Sequence, residues 1–122
     1  MNINTLGTMP MMQAAATRMR DTGGGNIVNV ASIAAKGYRQ TSNAAYAASK
    51  GAVLALTRVA AIQLAPYGIR VNAVCSGPMS SPLLNVHDTP ETRGRIDAMV
   101  NAVPLKKFSG QSMNVDGGLE FD

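Results

Sequence analysis

Tyr46 and Lys50 stand four residues apart in a stretch rich in alanine and leucine. On a helix that spacing puts both side chains on one face, about one turn apart. A phenol ionises near pH ~10 and is a poor acid–base group at neutrality. An ammonium close by stabilises the phenolate and lowers that pKa, so the tyrosine can exchange a proton with a substrate hydroxyl or carbonyl. Neither Tyr38 nor Tyr67 has a lysine at this spacing. A surface Tyr–Lys pair is the ordinary alternative, which spacing alone does not exclude. Ser32 is the third candidate. At a strand end its hydroxyl could bond a reacting oxygen as its charge changes, or simply cap a turn.

These side chains need elements to hold them. Residues 4–20 read as a helix whose apolar side is Leu6, Met9, Met12, Ala16 and Met19, weakened in its first half by Gly7 and Pro10. The run Asp21-Thr22-Gly23-Gly24-Gly25 stops it. Residues 26–32 follow, where Ile27, Val28 and Val30 make a β-branched run suited to a parallel strand. After a polar loop over 34–43, residues 43–65 form a long helix with Asn43 as its cap and Pro66 and Gly68 as its end. Residues 69–75 are a second strand, broken by Ser76-Gly77-Pro78. Strand, helix, strand in this order is a βαβ unit, with parallel pairing and a right-handed crossover. Ser32 and Ser76-Gly77-Pro78 then share the carboxyl edge of the sheet, where open α/β sheets bind ligands. Beyond it, residues 89–100 form a helix capped by Thr89, 106–111 a turn, and 112–115 a short strand ended by Asp116-Gly117-Gly118. The fold class is α/β, in one domain over residues 1–122.

Composition bounds the rest. With 46% hydrophobic and 15% charged residues the chain is core-forming rather than disordered. Tryptophan is absent and aromatics are few, so the core is built of small side chains with helices close on the sheet. The net charge of +4 is spread as pairs such as Arg18/Arg20 and Arg93/Arg95, a solvated surface rather than the stripe a nucleic acid needs. Cys75 and His87 are each alone of their kind. Cys75 is expected to be a buried thiol, and a zinc site is not expected. No apolar run reaches the length of a membrane span and no signal peptide is visible, so a cytoplasmic location is expected.

Three segments carry a resemblance. Asn26-Ile27-Val28-Asn29-Val30-Ala31-Ser32, Tyr46-Ala47-Ala48-Ser49-Lys50 and Val71-Asn72-Ala73-Val74-Cys75-Ser76-Gly77-Pro78 together resemble the catalytic half of the short-chain dehydrogenase/reductase family, with the likeness running from residue 4 to 118. The resemblance implies a Rossmann-like, doubly wound parallel sheet and an NAD- or NADP-dependent oxidoreductase that interconverts a secondary alcohol and a ketone. Tyr46 would be the acid/base. Lys50 would hold the nicotinamide ribose and lower the Tyr46 pKa, and Ser32 would orient the substrate oxygen. Asn4 resembles the helix asparagine that holds a water in the proton relay; a plain helix-start asparagine is the competing reading. Gly77 and Pro78 would belong to the loop beside the nicotinamide. Ser81 stands where a threonine would bond its carboxamide, and Ser76 replaces the usual first proline of that loop. The helices over 4–20 and 43–65 resemble the pair through which the family dimerises, so a homodimer or homotetramer is implied.

Two departures accompany it. The family's glycine-rich cofactor turn follows its first strand, whereas Gly23-Gly24-Gly25 precedes a strand and reads as a plain turn. A helical segment usual before the last strand is absent between Phe108 and Ser109. The strand over 27–30 would lack its inner neighbour and present an apolar edge. The chain alone is therefore expected to be poorly stable and to bind dinucleotide weakly. The alternative function is a non-catalytic remnant that acts as a dimerisation or interaction module.

Overall fold

The computed structural model describes residues 2–37, 43–77, 89–102 and 111–114. A π-helical turn, Asn2–Leu6, leads directly into helix α1, Gly7–Asp21. The α-helix begins only at Gly7, and Pro10 lies inside it, where it brings no N–H to the helical ladder. Strand β1 is Gly25–Ser32, and a 3₁₀ turn, Ile33–Lys36, occupies the start of the stretch read as loop. Helix α2 runs Ala44–Leu64 and passes through a 3₁₀ turn, Ala65–Tyr67, into strand β2, Ile69–Ser76. Helix α3 is Pro90–Ala102 and strand β3 is Gln111–Asn114.

β1 and β2 pair in parallel from Gly25↔Ile69 to Ser32↔Ser76, with α2 as the crossover. This is the βαβ unit the sequence implied. β3 joins the far side of β2 antiparallel, with Ala73 opposite Asn114, so the sheet is mixed and has the order β1-β2-β3. The strand expected over 112–115 thus begins one residue earlier, and Val115 lies outside the described residues.

Side chains alternate across a strand, and one face of the sheet carries the core. Met12, Ala61, Ile69 and Val71 form one buried cluster under α1 and the end of α2. Ala31, Val53 and Cys75 form a second beneath the start of α2. Cys75 is a buried free thiol. Val53 and Val71 are almost wholly enclosed, each contributing about 1.5–3 kcal/mol by burial. A polar link ties all three elements: Asn29 Nδ2 donates to Thr57 Oγ1 at 2.9 Å and lies 3.0 Å from Met12 Sδ. Thr57 Oγ1 in turn donates to Val53 O at 2.7 Å.

The opposite face and the free edge of β1 are different. Val28 and Val30 remain 59% and 63% exposed. An open groove of about 530 Å³ follows that edge, walled by Ile3, Met11 and Ala15 on one side and Val28, Asn29 and Val30 on the other. Among the described residues β1 pairs with β2 alone.

The turn before β1 is tight. Gly24 has φ +117°, and a Cβ there would stand 2.4 Å from Gly68 O. Its amide donates to Met19 O at 2.8 Å, closing α1. The triple glycine is therefore the turn read from the sequence, and the structure shows it packed on the backbone at Gly68.

Candidate active site

Helix α2 starts as its sequence requires. Asn43 has extended backbone and its side chain accepts from Tyr46 N at 2.8 Å. The cap fixes Tyr46 in the first turn, 37% exposed, and Lys50 follows one turn later. The two share a face: Lys50 Nζ lies 6.0 Å from the centre of the Tyr46 ring. The ammonium donates to Val30 O at 3.0 Å. This one bond ties the Tyr–Lys face to the carboxyl half of β1. It uses one of three ammonium protons, leaving two donors beside the phenol.

Ser32 ends β1 and is buried. Its Oγ accepts from Ala34 N at 3.1 Å, so it caps the 3₁₀ turn that follows. The cap reading is realised, but it uses only a lone pair; the hydroxyl proton stays free to donate. Across the register stands Ser76, whose Oγ lies 3.5 Å from Ala31 O, at the outer limit of a hydrogen bond. Gly77 follows directly at the end of β2. Pro78 and Ser81 lie outside the described residues.

Asn4 joins from the π-helical turn. Its Nδ2 donates to Ser49 Oγ at 3.0 Å, and Ser49 Oγ donates to Tyr46 O at 2.7 Å. Thr5 Oγ1 adds a bond to Ser49 O at 3.1 Å. Asn4 is thus held against the helix turn that carries Tyr46 and Lys50. Ser49 and Thr5 were not singled out from the sequence. Ser49 lies inside the Tyr-x-x-x-Lys spacing, yet nothing local pairs residue 49 with residue 4.

The structure therefore gathers Tyr46, Lys50, Asn4 and Ser49 at one turn, which Lys50 fastens to β1. Ser32 and Gly77 sit at the adjoining strand ends. Phenol, ammonium and serine hydroxyl are together suited to moving a proton to or from an alcohol oxygen. The ammonium's spare donors and the phenol suit the sugar hydroxyls at the nicotinamide end of a dinucleotide. The pyrophosphate end is another matter: among the described residues no glycine-rich turn joins a strand to a long helix. No group of side chains suited to a metal ion occurs among the described residues, and no described helix is long and apolar enough to cross a membrane.

Comparison with known proteins adds the lineage. A family profile described as enoyl-(acyl carrier protein) reductase matches residues 1–117. The short-chain reductase NovJ of Streptomyces niveus is 38% identical over 70% of this chain and 32% of its own length. The 2-(R)-hydroxypropyl-CoM dehydrogenase of Xanthobacter autotrophicus is 39% identical over 95% of this chain and 45% of its own. The crystal structure of an NAD+-bound xylitol dehydrogenase superposes with a TM-score of 0.74 at 33% identity, covering 87% of this chain and 45% of that one. The chain thus spans from about a third to about half the length of these relatives.

Proposed function

Since this chain belongs to the short-chain dehydrogenase/reductase family, we propose that it carries the proton-transfer side of an NAD(P)-dependent oxidoreductase acting on a secondary alcohol or ketone. The observation that carries this reading is the bond from Lys50 to Val30 O. It fixes to the carboxyl half of β1 an ammonium that lies 6.0 Å from the centre of the Tyr46 ring, and a small substrate would lie beside them. In alcohol oxidation Tyr46 Oη takes the hydroxyl proton, and Ser32 Oγ–H donates to the same oxygen. In the reverse direction Tyr46 returns the proton to the carbonyl oxygen. The nicotinamide, when bound, supplies or accepts the hydride. Lys50 would hold its ribose through the two protons that Val30 leaves free, and Asn4 would order the proton path behind it. Tyr46, Lys50, Gly77, Pro78 and Ser81 are the proposed cofactor contacts.

The test is nicotinamide absorbance with NAD+ and NADP+ over a panel of secondary alcohols. Tyr46→Phe keeps the ring and its packing but removes the exchangeable proton. Turnover is expected to fall by about 10²-fold or more, the usual worth of a general acid–base group, with cofactor affinity kept. Unchanged turnover would refute the assignment.

A second reading is favoured by the open edge of β1 and by Met9, Met11, Val59 and Ile62, which α1 and α2 leave exposed. In it the chain is an interaction module that pairs with itself through these helices. A defined dimer on a sizing column, with no change in nicotinamide fluorescence on titration, would support it over the first.

A further inference from the structure

β1 and β2 end on one register pair, Ser32 and Ser76. One residue earlier on each strand, Ala31 and Cys75 turn into the core. Side chains alternate along a strand, so the two serines turn out of that core together, one strand spacing of about 4.8 Å apart. Neither hydroxyl is used up. Ser32 Oγ is buried and accepts from Ala34 N at 3.1 Å, which leaves its proton to give. Ser76 is half-buried, and among the described residues its hydroxyl reaches only Ala31 O, at 3.5 Å. An O–H···O bond prefers about 2.7–2.8 Å, so this contact holds the proton weakly, and both lone pairs stay open. The proline that the family resemblance leads to at this position has no hydroxyl. A second alcohol at the carboxyl edge of the sheet is thus this chain's own feature.

We infer that Ser76 is a specificity-determining residue, whose hydroxyl binds a second substrate oxygen next to the one that Ser32 meets. This rests on the oxidoreductase reading above. Two hydroxyls a strand apart suit two oxygens on neighbouring carbons, each serine reaching its own oxygen with one bond of about 2.7–2.8 Å. The substrate class is then a vicinal diol, or the α-hydroxy ketone at the other end of the same reaction. Ser76 serves either one, since a hydroxyl donates or accepts as its partner requires. A substrate with a single oxygen leaves Ser76 without that partner, and a site built to bond a hydroxyl selects against the analogue lacking it.

The experiment offers the full chain two alcohols with one carbon skeleton: the butanediol with hydroxyls on both inner carbons, and sec-butanol, which lacks the second hydroxyl. The wild type is expected to favour the diol in kcat/KM. Ser76→Ala should lower the ratio of diol to sec-butanol about three- to tenfold, the worth of one neutral hydrogen bond. Ser76→Thr, which keeps the hydroxyl, should restore the ratio. Binding is read separately in ¹⁵N-labelled protein, where the diol should shift the Gly77 amide of the wild type and not that of Ser76→Ala. If neither alcohol is turned over, this shift alone decides. A ratio that Ser76→Ala leaves in place, or a Gly77 amide that answers the diol equally in both proteins, would overturn the proposal. Tyr46→Phe run in parallel separates the two failures. Retained turnover there sinks the acid/base reading and leaves Ser76 to the amide shift, whereas lost turnover with an unmoved ratio sinks only the role of Ser76.

Discussion

Thr57→Val removes one oxygen and almost no volume from the centre of the molecule, and its effect can be worked out from the structure. Thr57 is wholly buried and Asn29 nearly so. The Thr57 hydroxyl is the oxygen that Asn29 Nδ2 bonds; the other neighbour of that nitrogen is the Met12 thioether, a weak acceptor. Substituting valine leaves a buried amide facing a methyl group, which costs about 1–3 kcal/mol. Unfolding entropy is about 2.1 cal/mol/K per residue, which for 122 residues is about 0.26 kcal/mol/K; the midpoint should fall by about 4–12 °C. Differential scanning calorimetry reads this directly. The informative control is Asn29→Leu together with Thr57→Val. Removing both partners leaves no orphaned amide, so the double variant should regain most of the lost stability. If Thr57→Val melts with the wild type, or if the double variant loses the sum of both changes, the link from β1 to α2 does not work as described.

Three further perturbations probe the frame. Gly24→Ala forces a side chain at φ +117° with its Cβ 2.4 Å from a backbone oxygen, and should cost about 3 kcal/mol or more. Gly51→Ala, on α2 with no atom within 4 Å of the added carbon, should instead gain about 0.5–1 kcal/mol, and thermal melts compare the pair. Asn43→Ala removes the cap on Tyr46 N at a cost of about 1 kcal/mol. It should fray the turn carrying Tyr46, seen as faster amide exchange there, with Asn43→Ser restoring protection.

Much of this arrangement is legible in the sequence, for physical reasons. Ile27 to Val30 and Val71 to Cys75 are short β-branched runs on either side of a long alanine-rich stretch, and such a pattern has few topologies open to it. Asn43 and Gly68 act through their own local backbone, so their roles as cap and stop can be read residue by residue. Cys75 ends an apolar run and is buried accordingly. The contacts that escaped are those between distant residues. Asn4 meets Ser49 only because the π-helical turn lies against α2, and Asn29 reaches both Thr57 and Met12 only because α1 and α2 pack on the same face of β1. The antiparallel entry of β3 is likewise a matter of how the sheet is completed, which a four-residue strand does not encode. Ser32 shows a third case. Its place at the strand end was clear, but only the structure shows the cap and the spare proton in one hydroxyl.

The unpaired edge of β1 has a bearing on where this molecule opens. Among the described residues β2 is flanked on both sides, by β1 and β3, while β1 is held on one. Local opening starts where backbone groups meet water, and the strand from which Lys50 takes its acceptor is, like β3, an edge of the sheet among the described residues. The turn bearing Tyr46 and Lys50 is tied to that edge strand through the bond from Lys50 to Val30 O. Whatever polypeptide comes to lie along Val28 and Val30 would act as a tuning element, setting from one side how firmly the Lys50 ammonium is held.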